Sequence, residues 1–133
     1  MKKIIFIFYF LICIFNTSAQ SRLGSSLTEI KEEFSKYNLK EVICNDGLNA
    51  VSFTISELHV VYYFDKYNIC VNTLLTTKNI AVAKRITNYY NSHYIIINDN
   101  SWKVAENLSL AIINSYYDDK LGYIFVWDFL KNE

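Results

Sequence analysis

Hydrophobic and polar positions divide this chain into three kinds of segment. Residues 4–15 form an unbroken apolar run, preceded by Lys2 and Lys3 and followed by the polar exit Asn16-Thr17-Ser18-Ala19-Gln20. Past this run the apolar positions recur at helical spacing in two places. Leu27, Ile30, Phe34 and Tyr37 form one stripe, with Glu32, Glu33, Ser35 and Lys36 on the wet side. Ser25 or Ser26 caps this helix, Glu29 completes a capping box with Ser26, and Asn38 ends it. The second helix is predicted from Thr77 or Lys78 to Asn91, capped by Thr76 or Thr77. Ile80, Ala83, Ile86 (or Thr87) and Tyr90 face inward there.

Elsewhere the period is two, which predicts strands. The first half contains strands at 41–44, 51–55, 59–64 and 69–75, and the Asp46-Gly47 pair marks a turn after the first. The second half contains strands at 94–97, 102–106, 108–115 and 121–129. Each half therefore reads as a helix followed by an antiparallel meander, and the halves overlay at an offset of roughly 53 residues. Asn45-Asp46 falls on Asn98-Asp99, and Tyr62-Tyr63-Phe64-Asp65 on Ser115-Tyr116-Tyr117-Asp118. The helices match only with a slip of one residue. The predicted fold class is α+β: two tandem helix-then-meander units, about 24–76 and 77–130, with both helices on one face of an antiparallel sheet. The other face is left to solvent or to a partner.

The opening segment has the anatomy of a secretory signal peptide cleaved after Ala19. Its apolar core is roughly 12 residues, and a spanning helix needs about 20. No cysteine adjoins Ala19, so no lipid anchor is expected. Residues 20–133 then form a single soluble domain with no membrane span, periplasmic or secreted. The ending Thr17-Ser18-Ala19-Gln20 resembles signal peptides of Gram-negative Bacteroidota. Formal charge is zero over the whole chain and slightly acidic once Lys2 and Lys3 are removed. No basic cluster interleaves with aromatics, so nucleic acid is not an expected partner. Proline is absent and no low-complexity tract interrupts the domain. Cys44 and Cys70 form an even pair in an oxidising compartment. They either bond, closing a loop of roughly 25 residues, or remain two separate buried thiols.

The run Leu23-Gly24-Ser25-Ser26-Leu27-Thr28-Glu29-Ile30, followed by a helix and a meander, resembles the outer-membrane lipoprotein and beta-lactamase-inhibitor-protein superfamily. Tyr62-Tyr63-Phe64-Asp65, Asn68-Ile69-Cys70 and Trp102 also resemble small secreted proteins of unknown function from Bacteroidota. The resemblance implies protein binding and supplies no catalytic residue. The lipidated cysteine of many outer-membrane members is missing.

Candidate chemistry is sparse. His59 and His93 are the two histidines, and with Asp46 and Asp99 they are the groups available to an enzyme. No nucleophile stands in a triad context, no ligand set has metal spacing, and three glycines form no phosphate loop. No enzyme activity, cofactor or metal is assigned. Asp118-Asp119 and Asp65 read as hairpin turns.

The aromatic residues offer more. The last strand carries Tyr123, Phe125, Trp127 and Phe129 on one face. The repeat aligns Ile69, Val71, Thr73 and Leu75, taken as inner, with Gly122, Ile124, Val126 and Asp128. That alignment puts the aromatics on the open face beside Tyr63 and Tyr116. A single bulge inverts it. The sequence therefore predicts an exported, non-enzymatic module that binds an envelope or extracellular protein or peptide through Tyr63, Tyr116, Tyr123, Phe125 and Trp127. The alternative is a pocket for a sugar or lipid, with Trp102 or Trp127 as its stacking wall. Neither the oligomeric state nor the partner's identity is encoded in any motif.

Overall fold

The computed structural model describes residues 22–106 and 109–130. The expected signal segment at 1–19 lies outside them. The chain forms helix α1 (Leu27–Glu33), strands β1 (Lys40–Ile43), β2 (Asn49–Ile55), β3 (Leu58–Phe64) and β4 (Cys70–Thr77), then helix α2 (Ile80–His93). Strands β5 (Ile95–Asn98), β6 (Ser101–Glu106), β7 (Ser109–Asp118) and β8 (Gly122–Phe129) complete it. The eight strands make one antiparallel sheet in the order β1-β2-β3-β4-β8-β7-β6-β5. Each meander runs inward from an edge, and β4 and β8 meet at the centre.

The helix starts follow local chemistry. Ser26 caps α1, its hydroxyl accepting the Glu29 N–H at 3.1 Å. The helix ends at Glu33, earlier than the apolar stripe suggests, and Phe34 caps it. Phe34 and Tyr37 still reach the core from the turn that follows. Asn79 caps α2, its Oδ1 accepting the Ala81 N–H at 2.8 Å. The expected caps, Thr76 and Thr77, are instead held in β4, paired with Ile124 and Tyr123.

The strand register decides which face is core. Phe53, Val60, Leu75 and Phe125 lie side by side across β2, β3, β4 and β8. A second row runs through Val51, Tyr62, Thr73, Trp127, Ile113 and Trp102. All ten of these residues are buried. From α1, Phe34 stacks on Phe53 with ring centroids 4.9 Å apart and on Tyr62 at 5.8 Å. From α2, Tyr90 meets Trp102 at 5.2 Å, Phe125 at 5.6 Å and Trp127 at 5.8 Å. Both helices thus cover the same face of the sheet. Ala83, Ile86 and Tyr90 are the buried stripe of α2, whereas Ile80 is exposed.

The structure decides between the two cysteine readings and corrects the expected face of the last strand. Cys44 and Cys70 are free thiols, with Cys70 in the core and Cys44 half-buried in the β1–β2 turn. The turn after β1 and the start of β4 are separated by β2 and β3. Neighbouring strands are about 4.8 Å apart, while a disulfide needs Cα atoms within about 7 Å.

The correction concerns the last strand. Tyr63 pairs with Asn72 but Phe64 pairs with Cys70, so Val71 is left over as a bulge. The extra residue reverses the in–out alternation of β4 relative to an even repeat. Cys70, Thr73 and Leu75 therefore face the helices, while Ile69 and Val71 are only half-buried. Thr73 pairs with Trp127 and Leu75 with Phe125, which carries the aromatic stripe of β8 onto the helix side.

Candidate binding face and the cleft at its edge

The aromatic residues expected to form one binding surface are divided between the two faces. Phe125 and Trp127 are each 2 % exposed and belong to the core. The Trp127 indole N–H donates to the Tyr90 hydroxyl at 3.0 Å. Burial drives the Tyr90 phenol well above its ordinary range, against the opposing effect of that hydrogen bond. Tyr123 is half-buried on the same side, its ring 5.1 Å from that of Tyr117. Trp102 is also buried, its N–H donating to Asn91 at 2.8 Å. Neither tryptophan can serve as a stacking wall for a sugar or lipid without dismantling the core.

Tyr63 and Tyr116 do lie on the open face. Tyr63 is half-buried beside Asn72, with Asp128 and Ile112 next in the row. Burial raises its phenol above the ordinary value, and the nearby Cys44 adds to the effect. Tyr116 is 58 % exposed and pairs with Ile124. Between these rows run Val61, Leu74 and Val126, one from each of three adjacent strands, all half-buried. Both helices are on the other side of the sheet, so no described helix covers this apolar row. The sequence reading missed this row because the even repeat, which takes no account of the bulge at Val71, assigned Val126 to the core.

The four groups considered for catalysis do not meet. Asp46 sits in the β1–β2 turn, its carboxylate accepting the Leu48 N–H at 3.0 Å. Asp99 lies in the β5–β6 turn, toward the opposite edge of the sheet. His93 ends α2, stacked on Tyr89 with centroids 3.9 Å apart, with its Nδ1 2.9 Å from the Tyr89 carbonyl. His59 is on the open face, its Nδ1 3.1 Å from the Thr54 hydroxyl. Among the described residues no group of three or more His, Cys, Asp or Glu side chains could hold a metal ion. No described helix is long and apolar enough to cross a membrane. Asp65 and Asp118 organise hairpin turns, accepting from Tyr67 and Ile69 and from Lys120 and Leu121 respectively.

One constellation had no counterpart in the sequence reading. Where β4 passes into α2, an open cleft of about 720 Å³ is lined by Glu57, His59, Thr76, Lys78, Asn79 and Lys120, with Thr77 and Leu121. Its wall depends on Gly122. This residue has φ +85°, and a Cβ built on it would stand 2.5 Å from the Thr77 carbonyl oxygen. Only glycine lets the β7–β8 turn approach the β4–α2 junction so closely. The Asp118 carboxylate fixes that turn by accepting the Lys120 N–H at 2.7 Å and the Leu121 N–H at 3.0 Å. Opposite, the Asn79 side-chain amide donates to Glu57 while its oxygen caps α2. No family model, curated protein or solved structure matches this chain.

Proposed function

We propose that this protein is an exported, non-enzymatic module that recognises a protein or peptide through its open sheet face. One observation carries the reading: Val61, Leu74 and Val126 form an apolar row on the face opposite both helices. Apolar side chains in such a position are a mark of an interaction surface. Tyr63 and Tyr116 flank the row and supply contact area with a polar tip. The six inner strands give a surface of roughly 24 by 24 Å at ordinary strand spacing and rise. That is roughly 600 Å² of projected area, close to the 800 Å² or so that one partner contributes to a standard interface.

Export after Ala19 to the periplasm or beyond rests on the composition of residues 1–20. A build of two tandem helix-then-meander units belongs to the same proposal. It is supported by the element order and by the central β4–β8 pair that joins the meanders. The same order underlies the proposed kinship with the outer-membrane lipoprotein and beta-lactamase-inhibitor-protein superfamily.

The test is photo-crosslinking in an envelope extract of the host, comparing the wild type with Leu74→Lys and with a helix-side control, Lys84→Glu. A charge in the apolar row should abolish the crosslinked species while the thermal midpoint and the control's crosslinking are preserved. Equal crosslinking by Leu74→Lys would remove the open face from the account.

A further inference from the structure

We propose that the open sheet face is closed by a second copy of this chain, an assignment that rests on that face being the binding surface. The two sheets stack face to face about a two-fold axis that runs along the strands between β4 and β8. Three observations support this occupant.

The first is the match of side chains that the register dictates. A half-turn about that axis lays β4 over β8 of the second copy, β3 over β7, β2 over β6 and β1 over β5. Leu74 and Val126 are cross-strand neighbours at the centre, so Leu74 faces Val126 of the second copy. Tyr63 and Ile112 lie one strand farther out in the adjoining row of the same face, and they meet in the same way. At the margins of that row stand Val42 and Ile95, 54 % and 58 % exposed, and the half-turn brings them together. Polar positions also meet: Asn72 faces Asp128, and Ser52 faces Ser101. An interface between identical chains needs such self-complementarity. Two sheets of the same right-handed twist pack with strands within about 30° of each other, so these matches are closest at the centre.

The second is charge. Lys40, Lys103 and Asp128 are the charged residues of these two rows, and none meets a like charge. Lys40 faces Asn98, Lys103 faces Ala50 and Asp128 faces Asn72. The formal charge of the whole chain is zero, so no net repulsion opposes the association of two copies.

The third is area. The six inner strands offer roughly 600 Å² on each copy, so the pair covers roughly 1,200 Å², the size at which specific interfaces begin. Val42 and Ile95 extend the contact beyond the inner strands on both sides.

The experiment is sedimentation velocity of the purified protein from about 1 to 300 µM, a range that spans weak and standard affinities. The mass should rise from one copy to two with concentration. Leu74→Lys and Val126→Glu each set a charge against an apolar side chain of the second copy, and each alone should weaken dimerisation at least about a hundredfold. Mixed in equal amounts they should dimerise again, because the introduced cation then faces the introduced anion. A variant that has merely lost its fold cannot show that recovery. Tyr63→Glu should act in the same way through Ile112 of the second copy, and it serves if either central variant fails to fold. Ile96→Lys, on the edge strand β5 in the helix-side row with Trp102, should leave dimerisation unchanged. A mass of one copy throughout the range overturns the proposal, as do a Leu74→Lys protein that still dimerises and folded variants that do not recover on mixing. A single-copy wild type that still gives the Leu74-dependent crosslink in envelope extract replaces the second copy by another protein and keeps the open face. A single-copy wild type whose crosslinking is unchanged by Leu74→Lys removes both.

Discussion

Replacing Trp127 by alanine tests the assignment of the two sheet faces. Trp127 is 2 % exposed and sits in the central row between Thr73 and Ile113. An aromatic side chain of this size removes about 200 Å² from water. At about 25 cal/mol per Å² that is about 5 kcal/mol, at the upper end of the range for aromatic-to-alanine changes in cores. The change also deprives the Tyr90 hydroxyl of its 3.0 Å donor inside the core. A loss of about 4–5 kcal/mol is expected, against a total stability of about 5–15 kcal/mol for a domain of this size. The assay is urea denaturation followed by fluorescence, because Trp102 remains as a buried reporter 5.2 Å from Tyr90. With a slope of about 2 kcal/mol per molar urea, the midpoint should fall by roughly 2 M. Tyr116→Ala, at a residue 58 % exposed on the opposite face, should cost no more than about 0.5 kcal/mol. If Trp127→Ala unfolds within about 0.3 M of the wild type at unchanged slope, the indole is not core and the register argued for β8 fails.

Gly122→Ala should destabilise by about 2–4 kcal/mol, since it combines a positive φ with a backbone contact of 2.5 Å; an unchanged thermal midpoint would refute the close approach of β8 to the β4–α2 junction. Burial pushes the Cys70 thiol from 9.0 up to about 11, so its deprotonation is deferred on folding and stability must fall as pH rises through that window, by roughly 2–3 kcal/mol. Burial raises the phenols of Tyr62 and Tyr90 in the same sense above pH 10. Denaturation midpoints measured from pH 8 to 11 check this, and a flat profile contradicts it. Cys70→Ser carries a less acidic hydroxyl and should flatten the lower part of the profile.

Much of the fold was legible because it is local. The Ser26 cap with Glu29, the inner stripe of Ala83, Ile86 and Tyr90, and the Gly47 turn each depend on residues within a few positions of one another. Alternating side chains likewise reveal strands, and one-sided stripes imply helices packed on one side of a sheet. The end of α1 was misread because Phe34 and Tyr37 remain apolar core residues after the helix has stopped. The open-face role of Tyr123, Phe125 and Trp127 was misread for a different reason. Alternation states that neighbouring side chains point to opposite faces but not which face is buried, and the unpaired Val71 reverses the parity carried over from β4.

Local chemistry therefore settled the helices, the turns and the existence of the strands. The tertiary structure decided the register at Val71, the separation of Cys44 from Cys70 and the central pairing of β4 with β8. That pairing alone brings Lys120 beside Lys78 and Thr76, residues more than forty positions apart. Hydrogen bonds between distant strands determine these relationships, and a pattern that repeats every two or every 3.6 residues carries no record of which distant strand will be its neighbour.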